Sequence, residues 1–235
     1  MTASDDPRIQ RGMTAQFAAR RARIAGGEKP IGWKVGFGAP ASLQRLKIDR
    51  PLVGFLTDRS PLPSGDTFSL AGVKQAIVEP EIAVYIGRNL HAGSDRETAR
   101  TAIAALGPAI EINDLDFPPD EPEPVLAGNI YHRRVVLGPR DERFAGARLE
   151  GLVAKVRRGA TEVPAPASLE ANTGNLVDIV QHVADMLGAF GETLRAGEFI
   201  IAGSIVPPIL LEAQEDNVGF ALAPIGEISV RFARG

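Results

Sequence analysis

The segment from Val78 to Ile86 constrains the fold of this chain more than any other, because it is apolar like a buried strand yet begins with two acids. Glu79 and Glu81 are two residues apart, so their side chains point to the same face of a strand. Pro80 disfavours the helical region for Glu79 and keeps the pair extended. Two unpaired carboxylates on one buried face repel each other and are costly to desolvate. The sequence therefore predicts that a positive group lies between them.

A divalent cation with oxygen ligands is the simplest such group, and it calls for a third acid. Glu111 is the best candidate, since it lies in a second short, apolar, strand-like segment at 109–113. The chain has no cysteine and three scattered histidines, so carboxylates would have to bind the metal, which favours Mg²⁺, Mn²⁺ or Ca²⁺ over Zn²⁺ or Cu²⁺. An alternative stays open, in which Glu79 and Glu81 begin an edge strand and face solvent or a basic partner.

A further strand is predicted at 31–37, where apolar residues alternate with Gly32, Lys34 and Gly36. The glycines leave space around Lys34, so a ligand or another backbone segment can approach its side chain. An ordinary exposed lysine on a surface strand fits the same pattern.

Two long helices are predicted from their apolar spacing. The first covers 7–25, with Asp6 as its N-cap and Pro7 in its first turn, and we expect it to pack on the main body. The second covers about 176–190. His182 lies off the apolar stripe of this helix, which indicates a solvated residue rather than a metal ligand.

The middle of the chain is predicted to contain one short helix and one loop. A capping pattern at 94–97 predicts a helix from Asp95 to Leu106 that ends at Gly107. The acidic, proline-rich segment 116–124 is predicted to be a loop, and both a closing lid and a plain exposed loop fit its composition.

The number and order of these elements predict the fold class. Strands outnumber helices and do not alternate with them regularly, which favours an α+β fold. We expect an N-terminal helical segment, 1–30, packed on a single domain, 31–235. The net charge of −3 gives no reason to expect nucleic acid, and no apolar run is long enough for a membrane span. With no signal-peptide pattern and no cysteine, we expect a cytoplasmic protein.

Six segments occur in an order that is known from one family. They are IGWKVG at 31–36, PLVGFL at 51–56, EPEIA at 79–83, AIEIND at 109–114, VVLG at 135–138 and LRAGEFIIAGS at 194–204. Together they resemble the 2-keto-4-pentenoate hydratase and 4-oxalocrotonate decarboxylase branch of the fumarylacetoacetate hydrolase superfamily, over about 31–232.

The resemblance implies a mixed β-roll with flanking helices and a Mg²⁺ or Mn²⁺ ion held by three acids, Glu79, Glu81 and Glu111. It implies that Lys34 is catalytic and moves protons on and off the substrate. The residues that match substrate-binding positions are Ser204, Asp114 and Asn129. A structural turn is an alternative role for Ser204.

The reaction that the resemblance implies is the addition of water to a 2-hydroxy-2,4-dienoate or 2-oxo-4-enoate in aromatic-compound catabolism. Two alternatives use the same metal site, namely 4-oxalocrotonate-type decarboxylation and acylpyruvate hydrolysis. Hydrolysis is expected to need a histidine–acid pair on the N-terminal side of the site, and no histidine precedes His91. A third alternative is a non-catalytic homologue that serves as a partner subunit. The family also implies a homo-oligomer, at least a dimer, and possible association with a related decarboxylase or hydratase subunit.

Two segments depart from the family's pattern. Leu52-Val53 stands where this branch commonly has an acid before the glycine, and the segment at 128–131 lacks the usual acid and serine. His132, Arg133 and Arg134 then add basic residues. These departures suggest a substrate with an additional negative charge, or a different reaction at the same metal site.

Overall fold

The computed structural model describes residues 5–164, 166, 168–212 and 216–234. Within these residues the chain forms five α-helices: α1 (Pro7–Ala25), α2 (Pro40–Leu46), α3 (Arg96–Ala102), α4 (Pro122–Ala127) and α5 (Leu176–Ala189). The strands are β1 (Pro30–Gly36), β2 (Leu52–Thr57), β3 (Thr67–Ser69), β4 (Ala76–Ile86), β5 (Ile103–Asp114), β6 (His132–Leu137), β7 (Val153–Arg158), β8 (Thr161–Val163), β9 (Phe199–Ser204), β10 (Ile209–Leu210), β11 (Asn217–Ala223) and β12 (Gly226–Ala233). None of the helices among the described residues is long and apolar enough to cross a membrane.

The strands form two mixed sheets, in agreement with the predicted α+β roll. The larger sheet has the order β2-β1-β9-β4-β5-β6, and β10 pairs with β4. The smaller sheet has the order β3-β12-β11-β7-β8. Strands β11 and β12 contact β5, while α5 lies against β1 and β9. The long central strands β4 and β5 are therefore enclosed by the rest of the fold.

The register of β4 and β5 explains how a few residues can be both buried and polar. The two strands pair antiparallel, with Glu79 opposite Glu111 and Glu81 opposite Ala109. On one face Ile82 and Ile110 join the main apolar core. The opposite face holds the glutamates, and further along it a smaller apolar cluster made of Leu56, Ala83, Ala109, Val135, Phe199 and Ile201.

Helix α1 forms as predicted and packs on the body. Asp6 caps it by accepting a hydrogen bond from the backbone of Arg8, and Pro7 lies in its first turn. Its buried side chains include Ile9, Met13 and Phe17. Burying one apolar side chain of this size contributes about 1.5–3 kcal/mol, so this face attaches the helix firmly to α4 and the large sheet.

The predicted helix from Asp95 to Leu106 is too long. Helix α3 ends at Ala102, and β5 begins at Ile103 and continues through Gly107 without a break. The residues from 103 to 107 pair with β4, and this pairing outweighs their local helical propensity. The predicted strand at 109–113 is accordingly only the second half of β5.

The prediction that His182 is solvated is also wrong. Its side chain is 8% exposed, and its Nε2 lies 2.8 Å from the carbonyl oxygen of Pro51. Helix α5 is covered on this side as well as along its apolar stripe, so the imidazole is buried and holds the start of β2. His182 lies outside the candidate metal site, as expected.

Three short strands, β3, β8 and β10, were not predicted. Each has two or three residues, which is too few for a period-two pattern to be recognised. The predicted loop at 116–124 includes the first residues of α4.

Candidate metal centre and cavity

The three predicted metal ligands meet on one face of the large sheet. Glu79, Glu81 and Glu111 each offer a carboxylate oxygen, and these oxygens lie within 4.8 Å of one another. No other group of three such residues occurs in the part of the chain that the structure describes. The convergence follows from the β4–β5 register together with the two-residue spacing of the acids on β4.

The donor set fits a divalent cation that prefers oxygen. Glu81 is 1% exposed, and one of its oxygens, Oε1, has no hydrogen-bond partner among the described residues. Its other oxygen, Oε2, accepts a hydrogen bond of 2.6 Å from the backbone of Gly203. A buried carboxylate oxygen without a partner is expensive, and coordination of Mg²⁺ or Mn²⁺ would satisfy it.

Lys34 lies directly beside this group, 1% exposed. Its Nζ is 2.6 Å from Glu111 Oε1, 3.1 Å from Asn113 Oδ1 and 2.9 Å from the carbonyl oxygen of Ile130. An ammonium group has three N–H donors, so these three acceptors use all of them. The alternative of an exposed surface lysine is therefore wrong.

The space for Lys34 is provided by a glycine on the neighbouring strand. Gly54 is paired with Lys34 across β1 and β2. A Cβ at Gly54 would lie 2.8 Å from Lys34 Cγ and 2.9 Å from Asn129 Oδ1. The glycines on β1 itself approach other groups: a Cβ at Gly32 would collide with the backbone of Phe199.

Two residues of the centre were missed in the sequence. Asn113 donates from Nδ2 to Glu79 Oε2 (2.6 Å) and to Glu111 Oε2 (3.1 Å), so it bridges the two acids. His132 Nδ1 lies 2.6 Å from Glu111 Oε1. Asn113 could have been found, because it follows Glu111 by two residues in a strand and must share its face. Nothing in the sequence indicates His132, which reaches Glu111 only through the pairing of β5 and β6.

The surroundings of the three acids shift their pKa values in opposite directions. Burial, reinforced by the charge of Glu111, raises the pKa of Glu79 to about 7. Burial and the charges of both neighbouring acids raise the pKa of Glu81 well above its usual value. Burial opposes the ionisation of Glu111 too, but Lys34 and His132 together outweigh it and lower its pKa. Without a metal, Glu111 holds the negative charge and the other two acids tend to retain protons.

Of the three predicted substrate-binding residues, the structure places Ser204 at the site. Ser204 follows Gly203 at the end of β9 and lines a cavity that also exposes Lys34 and Glu79. Its buried Oγ has no hydrogen-bond partner among the described residues, so it can bind a ligand. Gly203 has a φ of +94°, a backbone conformation that favours glycine, and its N–H reaches Glu81 from there.

Asp114 and Asn129, the other two predicted substrate-binding residues, are hydrogen-bonded within the protein. Asp114 is buried and accepts hydrogen bonds from the backbone of Lys74 and Gln75 and from Arg133. It follows Asn113 in β5 and so points to the opposite face. Asn129 forms a pair of hydrogen bonds with the backbone N–H and carbonyl of Phe55. Neither residue lines the cavity, and both hold the local structure in place.

The cavity has a volume of about 430 Å³, within the range typical of small-molecule sites. Its polar lining includes Asn172, Thr173, Ser42 and Arg45, and its apolar walls include Phe37, Ile77, Leu115, Pro119, Ile130, Pro207 and Pro208. Pro119 belongs to the acidic segment 116–124, so this segment forms part of the cavity wall.

The segment 116–124 is tied to the helices beside it. Asp120 forms an ion pair of 2.6 Å with Arg45 of α2, and Glu123 forms one of 2.7 Å with Arg11 of α1. The basic residues at 132–134 do not line the cavity: His132 contacts Glu111, Arg133 pairs with Asp114, and Arg134 donates to the carbonyl of Arg133. Leu52 and Val53 are fully buried.

The chain is similar to several known proteins. The model of the family described as "Fumarylacetoacetate (FAA) hydrolase C-terminal" matches residues 35–233. The chain is 30% identical over 218 residues to 2-hydroxyhexa-2,4-dienoate hydratase of Comamonas testosteroni, covering 90% of this chain and 81% of the relative. It is 27% identical over 218 residues to 2-keto-4-pentenoate hydratase 1 of Dechloromonas aromatica (strain RCB), covering 91% of this chain and 81% of that relative. Among solved structures, 4-oxalocrotonate decarboxylase from Pseudomonas putida G7, complexed with magnesium and adipate, superposes with a TM-score of 0.83 at 25% identity, covering 93% of this chain and 83% of that one.

Proposed function

Since the chain belongs to the FAA hydrolase C-terminal family, we propose that it is a divalent-metal-dependent hydro-lyase that adds water to a 2-hydroxy-2,4-dienoate or its 2-oxo-4-enoate form, in the catabolism of aromatic compounds. The observation that carries this proposal is the convergence of Glu79, Glu81 and Glu111 beside a buried lysine, next to a cavity that Lys34 and Glu79 line. Hydratases among the relatives support the choice of reaction.

The three acids would hold Mg²⁺ or Mn²⁺. The bound metal would act as a Lewis acid that orients the 2-oxo acid and stabilises negative charge on its C2 oxygen. Asn113 fixes the orientation of two of the carboxylates, and the backbone of Gly203 fixes the third.

Lys34 is the residue placed to move protons. It lines the cavity, and each of its N–H bonds points to an acceptor of the protein. To protonate a dienol carbon or to receive a proton, Nζ must exchange one of these three acceptors for the substrate. The Ser204 hydroxyl can donate a hydrogen bond to a substrate oxygen, and the apolar walls can pack against the hydrocarbon part of the substrate.

Calorimetric titration with oxalate, a mimic of a 2-oxo acid enolate, tests the metal centre. We expect binding that requires Mg²⁺ or Mn²⁺ and that is lost in Glu81→Gln. Glu198→Gln is the matched control, because Glu198 is also a buried acid but bonds Trp33 and the backbone of Arg195, outside the centre. Absence of metal-dependent binding in the folded wild-type protein would overturn the proposal.

Turnover assays then distinguish hydration from decarboxylation and from hydrolysis. Hydration consumes the absorbance of 2-hydroxypenta-2,4-dienoate without releasing CO₂, and we expect this result. Release of CO₂ from 4-oxalocrotonate would identify a decarboxylase instead, and cleavage of an acylpyruvate would identify a hydrolase. Oxalate binding without any turnover would favour a non-catalytic partner subunit.

We also propose that the protein acts in the cytoplasm as a homo-oligomer, at least a dimer, and that it can associate with a related decarboxylase or hydratase subunit. Sedimentation of the purified protein, alone and mixed with such a subunit, tests the two statements about assembly. A single monomeric species in both samples would contradict them.

A further inference from the structure

Among the residues that the structure describes, the partners of Glu111 fill both acceptor positions of one carboxylate oxygen and only one of the other. An ionised carboxylate has about four such positions, two on each oxygen. Lys34 Nζ and His132 Nδ1 each lie 2.6 Å from Oε1, and Asn113 Nδ2 lies 3.1 Å from Oε2. Oε1 is therefore fully used, and Oε2 keeps one position that a cation can take.

The His132 imidazole is directed at Glu111 and at no other acceptor in the described part of the chain. Its side chain is 3% exposed, and its Nε2 has no hydrogen-bond partner there. A proton on Nε2 would be a buried donor without an acceptor, and it would set the Nδ1 lone pair against the carboxylate. The contacts therefore assign the proton to Nδ1, which donates to Glu111 Oε1.

A bulge between β5 and β6 turns His132, rather than Arg133, towards the acids. Arg134 is paired with Ile112. Regular antiparallel pairing would then place Arg133 opposite Asn113, but the register shifts at this point and brings His132 there. Directly paired residues share a face of the sheet, and a bulge redirects side chains in this way. The acids thus face an imidazole donor instead of a permanently charged guanidinium, which would compete with a divalent cation.

The turn that leads into His132 is held in an unfavourable backbone conformation. Asn129, Ile130 and Tyr131 have φ values of +54°, +52° and +61°, in the left-handed region that favours glycine and is costly for a β-branched side chain. The side chain of Asn129 holds the turn through its two hydrogen bonds with the backbone of Phe55. Strained backbone persists where the surrounding structure imposes it, and it is concentrated at functional sites.

We propose that His132 is a positioning residue that makes the metal centre selective for Mg²⁺ or Mn²⁺ over Ca²⁺. Together with Lys34 it occupies Oε1 and leaves Glu111 a single oxygen for the cation. Ca²⁺ takes about six to eight oxygen ligands and accepts both oxygens of one carboxylate, whereas Mg²⁺ demands near-octahedral geometry. The inference rests on the proposed function, because it requires that the three acids bind a divalent cation.

Calorimetric titration of the chelator-treated protein with Mg²⁺, Mn²⁺ and Ca²⁺ in turn measures this selectivity without any turnover. His132→Leu keeps a buried side chain but cannot donate, so Oε1 regains a free acceptor position. We expect the affinities for Mg²⁺ and Mn²⁺ to fall roughly tenfold or more, as is usual when a hydrogen-bond partner of a metal ligand is lost. The affinity for Ca²⁺ should change far less, because Glu111 can then offer both oxygens. His132→Asn places an amide N–H near the position of Nδ1 and should restore the wild-type preference.

His182→Leu is the matched control, because His182 is also a buried histidine but bonds the carbonyl of Pro51, outside the centre. It should leave all three affinities unchanged. If His132→Leu does not fold, His132→Gln carries the same test, since its amide takes the place of Nε2 rather than of Nδ1.

Two results overturn the inference while the proposed function stands. One is an equal change in the affinities for Mg²⁺ and Ca²⁺ on loss of the imidazole, including no change at all, which would make the role of His132 merely structural. The other is a wild-type protein that binds Ca²⁺ as tightly as Mg²⁺ and Mn²⁺. Failure of the folded wild-type protein to bind any of the three cations overturns the inference and the proposed function together.

Discussion

At the scale of single residues, the centre is organised around Glu111. Its Oε1 contacts the Lys34 ammonium and the His132 imidazole, and its Oε2 accepts a hydrogen bond from Asn113. The other two acids have no cationic partner this close among the described residues, and their elevated pKa reflects that difference. The residues around the acids hold one negative charge in place and leave the others available to a divalent cation.

Replacement of Gly54 by alanine should disturb Lys34 without altering any polar group. The new Cβ would lie within 3 Å of Lys34 Cγ and Asn129 Oδ1, and both neighbours are buried and hydrogen-bonded. Overpacking of this kind costs about 1–3 kcal/mol. Urea denaturation should show that loss of stability, and assays should show lower turnover.

Gly219→Ala is the control for this prediction. Gly219 also lies in a strand, but the nearest atoms to an added Cβ there are 3.9 Å away. We expect this variant to be as stable as the wild-type protein or more so. Equal stability of both variants would show that Lys34 has more freedom than the structure indicates.

Asn113→Asp tests the bridge between the acids. The change keeps the shape of the side chain but replaces the amide that donates to Glu79 and Glu111 with a fourth carboxylate, so like charges then face each other. We expect a large fall in the thermal midpoint with EDTA at pH 8, and a smaller fall with Mg²⁺. Asn89→Asp is the control, because the oxygen of Asn89 accepts from the backbone of Ala196 and aspartate can do the same. Equal midpoints for the two variants would contradict the bridging role.

At the scale of elements, the sequence predicts whatever depends on neighbours along the chain. The two acids of β4 share a face because of their spacing, and their apolar context identifies the strand, so the cluster of three candidate metal ligands can be predicted before the fold is known. The end of α3 cannot be predicted this way, because pairing with β4 decides where β5 begins. His132 and the Arg45–Asp120 pair are equally inaccessible, since the packing of distant segments creates them.

The packing of helix α1 against β2 and α4 should depend on one buried amide side chain. Gln16 is fully buried and donates to the carbonyl oxygens of Val53 in β2 and Leu126 in α4. Gln16→Ala leaves both carbonyls without this donor, and an unsatisfied buried group costs about 1–3 kcal/mol. Chemical denaturation should detect the loss, whereas Arg21→Ala, on the exposed side of the same helix, should stay within about 0.5 kcal/mol of wild type. Equal effects of the two changes would mean that apolar contacts alone hold the helix.

At the scale of the whole molecule, the acid cluster should make stability depend on pH and on a bound divalent cation. A folded-state pKa above the unfolded value means that the native state binds more protons than the unfolded state. For Glu79, with a pKa raised from 4.5 to about 7, stability is therefore lost as the pH rises between these values. Glu81 acts in the same direction. His132 and His182 act in the opposite direction, because burial lowers the pKa of each.

The double variant Glu79→Gln/Glu81→Gln isolates the contribution of the acids from that of the histidines. With EDTA at pH 5 the wild-type protein and the variant should have similar thermal midpoints, since the wild-type acids are then largely protonated. With EDTA at pH 7.5 the variant should be the more stable of the two, because only the wild-type protein must bury ionisable acids without a cation. Addition of Mg²⁺ at pH 7.5 should raise the wild-type midpoint above that of the variant and leave the variant unchanged, since bound metal favours the ionised acids and displaces their protons. A wild-type protein that is more stable than the variant in EDTA at pH 7.5 would mean that another group already neutralises these acids, and the cluster would then not need a metal.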